Sequence, residues 1–262
     1  MLKERYFAGI DVGTSYIKAV VIDEKNDIVG FYIERSGADL QRSINIAFQG
    51  AIIAANLSRD KIKHVTATGF GRGNVSFADS VKTEISSHAK GAYHYFPKMI
   101  TIVDIGGQDT KIIKIDAQGK ILGFKMNRKC AAGTGTFLEE IAYRLNIPLN
   151  EMNTLAGKSD KDVPLSSYCT VFASTEILSR IKEGEKVEDM VKSAFESVVR
   201  RVIEMDTLGE TVVMTGGVIT YNKSLLKILS RYVGKEIMIP LYPQLTGAFG
   251  AALFAKEAEN QK

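Results

Sequence analysis

The sequence predicts a mixed α/β chain made of two duplicated halves, and three observations carry that prediction. The first is an internal repeat. Residues 6–31 (YFAGIDVGTSYIKAVVIDEKNDIVGF) and 100–124 (ITIVDIGGQDTKIIKIDAQGKILGF) align at a constant offset of 93, which pairs Asp11 with Asp104, Gly13 with Gly106, Lys18 with Lys111, Asp23 with Asp116, Gly30 with Gly123 and Phe31 with Phe124. A repeat of this kind governs the reading of the whole fold. The second is that each copy alternates short apolar runs with Gly and Asp punctuation, the pattern of antiparallel hairpins. The third is that stretches with apolar residues at helical spacing follow each copy.

Taken in order, each copy reads as an apolar strand, a D-[VI]-G turn, a second strand, a turn and a third strand. Residues 39–57 then predict a helix, with Leu40, Ile44, Ala47 and Ile52 on one face. KIKHVTATG, residues 61–69, reads as a fourth strand, and 79–95 as another helix. In the second half a helix is expected over 136–146, with Phe137, Ile141 and Leu145 on one face. Thr136 followed by Glu139 suggests a capping box there. Helices are also expected over 173–183 and 187–207, a strand ending in glycines over 211–217, a last strand in KEIMIP and a last helix over 244–257. The division falls near Pro97: residues 1–96 with the C-terminal segment 244–262 form one subdomain, and 97–243 the other. No linker or low-complexity segment interrupts them.

Composition narrows the function. At 262 residues the chain buries a real core. It is 45% hydrophobic and 24% charged, with a net charge of +4 spread among mixed signs, which gives no case for nucleic acid. No apolar run has the length needed to cross a bilayer, and MLKERYFAGID lacks the features of a signal peptide, so no membrane partner and a cytoplasmic location are expected. Two cysteines, Cys130 and Cys169, in such a chain argue against a structural disulfide.

The glycine turns suggest a ligand. DVGTS (11–15) and DIGGQD (104–109) occupy the same point of the two copies, each with an Asp at a strand end followed by Gly and polar residues. Glycine lets the N–H groups of a turn approach a phosphate, and a carboxylate there holds Mg²⁺ through water. MTGGVITYN (214–222) is a third glycine turn between a strand and a helix. A glycine hairpin is the plain reading of any one of them. Two duplicated loops facing each other across a cleft would clamp a polyphosphate, and the three together point to a nucleotide.

These residues resemble the actin-like ATPase superfamily, which holds sugar kinases, actin and heat-shock chaperone ATPases. D-V-G-T-S resembles its first phosphate motif, D-I-G-G-Q-D its second and T-G-G-V its adenosine motif. With ATGFGRG (67–73), KCAAGTGTFLE (129–139) and TGAFGAAL (246–253), the chain is similar to the ATPase activators of 2-hydroxyacyl-CoA dehydratases and the related ATPase subunits of benzoyl-CoA reductase. The resemblance implies an actin-like, ribonuclease H-like fold with a nucleotide cleft between its subdomains. It implies ATP/ADP and Mg²⁺ as ligands, and a homodimer with one 4Fe–4S cluster. It also implies a low-potential electron, taken from ferredoxin or flavodoxin and delivered to a partner iron–sulfur dehydratase or reductase with ATP hydrolysis.

Residue by residue, the resemblance makes Asp11 and Asp104 the positioners of Mg²⁺ and water. Gly13, Thr14, Ser15, Gly106 and Gly107 become phosphate donors, and Gln108 orients the attacking water, with Asp109 a second candidate. Gly133, Thr134 and Gly135 border the nucleotide. Gly216, Gly217 and Val218 border the adenosine, and Asn222 either assists or caps a helix. Cys130 and Cys169 are the implied cluster ligands: a cluster takes four thiolates and one chain offers two, so a dimer is needed. Both would precede helices, whose N-termini favour anions. Two buried free thiols are the plain alternative. Lys18 and Lys111 are expected to run along strands to solvent. Arg128 and Lys129 either dock an acidic partner, ease the implied cluster's reduction, or are a solvated pair. Arg72 has no assigned task, and His64, His88 and His94 are expected to be surface or packing residues. Two other functions fit the same motifs: a small-molecule kinase with Asp109 as base, and a nucleotide-dependent scaffold. The kinase reading leaves the cysteine loop unexplained, and iron bound by Cys130 and Cys169 in a dimer would exclude both.

Overall fold

A computed structural model describes residues 5–161, 165–167 and 169–261. The first repeat forms β1 (Tyr6–Val12), β2 (Tyr16–Ile22) and β3 (Ile28–Arg35), all antiparallel neighbours. Helix α1 (Leu40–Ala54) follows, its first turn capped by Asp39, whose carboxylate accepts from the Arg42 N–H. The helix ends short of the expected residue 57 because Asn56 turns left-handed (φ 54°). Strand β4 (Ile62–Thr68) lies parallel to β1, and a two-residue β5 (Ser80–Val81) lies parallel to β4. Helix α2 (Glu84–Tyr95) starts later than residue 79, because β5 takes that segment and Thr83 then caps the Ser86 N–H.

The second repeat forms β6 (Ile100–Ile105), β7 (Thr110–Ile115) and β8 (Ile121–Asn127). Four helices follow: α3 (Gly135–Arg144), α4 (Met152–Ala156), α5 (Thr170–Lys182) and α6 (Val187–Met205). Strand β9 (Val212–Thr215) lies parallel to β6, and after α7 (Gly217–Tyr221) and α8 (Ser224–Val233) comes β10 (Ile237–Met238), parallel to β9. The chain ends in α9 (Thr246–Asn260). Helix α4 was not anticipated, and the helix expected after the third glycine turn is divided into α7 and α8. The capping box at Thr136 is absent: α3 begins one residue earlier, and Thr136 Oγ1 donates instead to the Gly107 carbonyl at 2.9 Å.

The two sheets have one topology. Their orders are β3-β2-β1-β4-β5 and β8-β7-β6-β9-β10, so the duplication covers five strands on each side and not the hairpins alone. This is the actin-like ATPase fold. The chain divides into two compact units. Unit 1 runs to Lys98 and takes in 116–121 and the segment from Leu245; unit 2 holds 99–115 and 122–244.

In unit 1 the strand period sorts side chains onto two cores. Ala8, Ile10, Val12, Ile17, Ala19 and Val21 pack with Ile44, Phe48 and Ile52 of α1. Phe7, Val20 and Ile22 pack with Phe249, Ala252 and Leu253 of α9. Helix α9 lies close on β1 at Gly9, where a Cβ would fall 2.0 Å from the Ala248 carbonyl oxygen. In unit 2 a single large core joins Val103, Ile105 and Ile112 to Phe137, Ile141, Phe195, Val198 and Leu229 of the helices. Burial on this scale, at about 25 cal/mol per Å² of apolar surface, drives the folding of each unit.

Candidate nucleotide and thiol site

The sheet register builds the same arrangement twice. In unit 1, Asp11 stands opposite Lys18 on β2 and Thr68 on β4. In unit 2, Asp104 stands opposite Lys111 on β7 and Thr215 on β9. Cross-strand partners share a sheet face, so each Asp has a Lys and a Thr as neighbours. Lys18 Nζ donates to Asp11 Oδ2 at 3.1 Å. Lys111 Nζ donates to Asp104 Oδ2 at 3.0 Å and to Asp109 Oδ1 at 2.9 Å. The expectation that both lysines run to solvent is therefore overturned: Lys111 is 1% exposed, and the register turns each ammonium onto the carboxylate across from it.

The copies differ in bracing. Thr215 Oγ1 donates to Asp104 Oδ1 at 2.8 Å. In unit 1 neither Asp11 Oδ1 nor Thr68 Oγ1 has a hydrogen-bond partner among the described residues, though both are buried. Each Thr is followed by a glycine in the left-handed region, Gly69 at φ 88° and Gly216 at φ 100°. A Cβ at Gly69 would lie 2.4 Å from Asp11 Oδ1, and one at Gly216 would lie 2.3 Å from the Ile105 carbonyl oxygen. The T-G turn is thus shaped against the Asp-bearing strand end in both units.

The glycine loops divide their N–H groups between two tasks. The Gly13 N–H closes its hairpin onto the Tyr16 carbonyl (3.1 Å), and the Gly106 N–H closes its own onto the Asp109 carbonyl (2.9 Å). The N–H groups of Thr14, Ser15, Gly107 and Gln108 have no backbone partner among the described residues. Thr14 and Gln108 are exposed.

Unit 2 gathers several predicted site residues. The Gly135 N–H donates to the Gly106 carbonyl (2.9 Å), and the Thr136 N–H to the Gly107 carbonyl (2.8 Å). Around Gly135, a Cβ would meet Gly107 Cα at 3.2 Å and Val218 Cγ2 at 3.3 Å. Thr110 Oγ1 at the start of β7 donates to the Gly133 carbonyl at 2.6 Å. Thr134 Oγ1 donates to the Ala131 carbonyl (2.6 Å), and Asn127 Nδ2 to the carbonyls of Cys130 (2.9 Å) and Ala132 (3.0 Å). The second glycine loop, the start of α3 and the cysteine loop are joined by hydrogen bonds, and Val218 after the third glycine turn lies beside them. The Gly216 N–H donates to the Pro243 carbonyl, and Gly217 lies near Gln244. Asn222 ends α7 and immediately precedes Lys223, the N-cap of α8; its Nδ2 donates back to the Val218 carbonyl, and no side chain caps α8.

The cysteines lie at the starts of α3 and α5. Cys130 is exposed, five residues before α3; Cys169 is half-buried and is the residue that caps α5, three residues earlier than the sequence suggests. Its thiol makes no capping bond. Glu176 on α5 holds the segment before it: Oε2 accepts from the Ser166 N–H (2.8 Å) and hydroxyl (2.6 Å), and Oε1 from Arg180. Burial alone would raise the Glu176 pKa, but the Ser166 bonds and the Arg180 charge outweigh it and hold the carboxyl below its ordinary value. Among the described residues no group of three or more His, Cys, Asp or Glu is placed to hold a metal ion within one chain.

Arg72 donates to the Gly69 carbonyl (2.9 Å), so it braces the T-G turn of unit 1. Arg128 and Lys129 are exposed. His64 and His88 are buried, and His94 packs its ring edge-on to Phe249. Sequence reading missed Thr68, Thr215 and the site role of both lysines. The available signals were the repeated T-G after a strand and the matched lysines themselves. No helix among the described residues is long and apolar enough to cross a membrane.

Comparison with known proteins follows this geometry. The description of the BadF/BadG/BcrA/BcrD ATPase family matches residues 8–255. The activator of lactoyl-CoA dehydratase from Anaerotignum propionicum is 40% identical over 263 aligned residues, covering 98% of this chain and 100% of that one. The 2-hydroxyisocaproyl-CoA dehydratase activator of Clostridioides difficile is 39% identical over 262 residues, covering 98% of each chain. A solved structure of the activator of the 2-hydroxyisocaproyl-CoA dehydratase from Clostridium difficile, with bound ADPNP, superposes with a TM-score of 0.91 at 38% identity and covers 98% of each chain.

Proposed function

This chain belongs to the BadF/BadG/BcrA/BcrD ATPase family, and on that premise we propose that it is an ATP-dependent reductive activator. It works as a homodimer. It binds ATP with Mg²⁺ at its glycine loops and passes a low-potential electron from ferredoxin or flavodoxin to a partner iron–sulfur enzyme of the 2-hydroxyacyl-CoA dehydratase or benzoyl-CoA reductase type.

One observation carries the reading. The loop Gly106–Gly107 is hydrogen-bonded to Gly135 and Thr136 at the start of α3, and the same helix start carries Cys130 five residues upstream. A change at the nucleotide phosphates therefore has a short path to a cysteine. In this reading the N–H groups of Thr14, Ser15, Gly107 and Gln108 donate to phosphate oxygens, while Gly13 and Gly106 shape their turns. Gln108 orients the attacking water. Asp11 and Asp104 hold waters of the cation, and the buried, unpartnered Asp11 Oδ1 suits that task. Lys111 neutralises Asp104 and Asp109 together. Gly133 and Thr134 border the nucleotide. Gly216, Gly217 and Val218 border the adenosine, with Asn222 behind them. Loss of the γ-phosphate removes an acceptor from the second loop, and its displacement moves the start of α3.

The thiols fit a shared cluster. Cys130 is exposed, Cys169 caps α5 without spending its thiol, and two chains supply the four thiolates that one cannot. A 4Fe–4S cluster, when bound there, supplies the one-electron chemistry. The test is an anaerobic assay with a purified 2-hydroxyacyl-CoA dehydratase and a chemical reductant. Dehydratase turnover should appear only with ATP, not with ADP, and should vanish in Cys130→Ser and Cys169→Ser with nucleotide binding kept. Turnover with ADP alone, or with either cysteine replaced, overturns the reading.

A further inference from the structure

Unit 1 contains a cavity of about 380 Å³ between the β2–β3 turn, α2 and α9, with that turn at the end of β2 opposite the DVGTS loop. That volume lies in the range of small-molecule sites. Its walls are amphipathic. Tyr93, Pro97 and Leu253 supply apolar surface; Lys90, His94 and Lys256 supply cations.

The charges there are unevenly matched. Lys90 is paired with Glu257. Lys256 is half-buried, and its ammonium donates to two neutral acceptors, the Glu24 carbonyl and Asn26 Oδ1 (2.7 Å). An ammonium carries three donors, and among the described residues no carboxylate takes the third. A half-buried cation held by neutral oxygens favours an added anion. The imidazole reports the same field: burial holds the His94 pKa below its ordinary value, and the Lys256 and Lys90 charges lower it further, against a smaller opposite pull from Asp27. The chain also gives the cavity a structural reach. The Tyr93 hydroxyl donates to the Ala117 carbonyl (3.0 Å), and its ring lies over Gly119, where a Cβ would come 2.9 Å from it. Those two residues form the turn that leads into β8, the strand ending just before Cys130.

We propose that this cavity binds a small organic anion, a phosphate or carboxylate group on an apolar body, with the anionic group on Lys256 and the body against Tyr93, Pro97 and Leu253. The site is separate from the nucleotide loops and does not depend on the activator reading.

The test follows the His94 ring by NMR in the full chain while phenyl phosphate, and separately inorganic phosphate, is added. An anion beside the imidazolium stabilises its charged form, so a saturable rise in the His94 pKa is expected with phenyl phosphate, at a dissociation constant of about 1 mM or tighter. Inorganic phosphate, lacking the body, should bind at least about tenfold more weakly, a loss of about 1.4 kcal/mol. Lys256→Met should weaken phenyl phosphate by a similar factor, and Asn260→Asp, which adds a negative charge to the wall, should weaken it in a chain whose turn is still pinned by Lys256. Lys82→Met, whose ammonium stands over Phe254 at 5.0 Å outside the cavity lining, should change nothing. A purely structural Lys256 would leave His94 indifferent to the ligand. An unchanged His94 titration, or an equal response in Asn260→Asp, overturns the proposal.

Discussion

In unit 2, Asp104 is gripped on both sides, by the buried Lys111 and by the Thr215 hydroxyl, and Lys111 reaches a second carboxylate on Asp109. In unit 1 the same three positions are filled by Asp11, Lys18 and Thr68, yet among the described residues Asp11 keeps one oxygen without a partner and Lys18 meets one carboxylate. The position that corresponds to Asp109 in the first copy is Tyr16. One ancestral hairpin has thus become a closed, self-neutralised loop tied to the helix start that follows the Cys130 loop, and an open loop with a spare carboxylate oxygen. The closed copy is suited to transmit a displacement, since its parts are bonded to each other. The open copy is suited to take a cation that the protein itself does not replace.

Substitution can break this comparison, and the largest effect is expected at the lysines. Lys111→Met strands the buried Asp104 and leaves the half-buried Asp109 unpaired from it, and should cost about 3–5 kcal/mol of stability by urea unfolding. Lys18→Met leaves one carboxylate, and its lysine side chain is 16% exposed, so a smaller loss of about 1.5–3 kcal/mol is expected. Equal losses would mean that the two copies are braced alike. A sharper contrast lies at the threonines. Thr215→Val removes a hydroxyl bonded to a carboxylate and should cost about 1.5 kcal/mol, whereas Thr68→Val, whose hydroxyl has no partner, should stay within about 0.5 kcal/mol of the parent. A large loss at Thr68 would show that its hydroxyl is engaged after all.

The smallest effect concerns the segment before Cys169. Glu176 has a depressed folded pKa, so its stabilising bonds to Ser166 and Arg180 are fully present above the ordinary value of 4.5 and are lost as the pH falls through the lower folded value. Glu176→Gln should remove that pH dependence, and amide exchange in 165–167 should then rise at neutral pH as it does in the parent only in acid. No change in exchange would detach Glu176 from the cysteine segment.

How much of this was legible in the sequence differs between elements. The hairpin duplication was plain, because six identities hold one offset. The T-G twins, Thr68-Gly69 and Thr215-Gly216, were hidden, because the helices inserted between β8 and β9 change the offset and leave two residues to match. The lysines were misread for a physical reason: alternation along a strand tells which face a residue is on, but not which neighbour stands opposite at the strand end. The start of α5 was placed late because Cys is not a preferred capping residue; in the fold Ser174 is buried within the helix and donates to the Thr170 carbonyl. A helix was expected after the third glycine turn, but the apolar face of α8, Leu225, Ile228 and Leu229, was not used to give it bounds.

The central claim is that two chains pool their thiols. It is tested most directly by measuring iron and acid-labile sulfide per chain after anaerobic reconstitution, together with the mass in solution. The account predicts about two irons and two sulfides per chain in a dimer, lost in Cys130→Ser and Cys169→Ser. No iron, or a full cluster in a monomer, would contradict it.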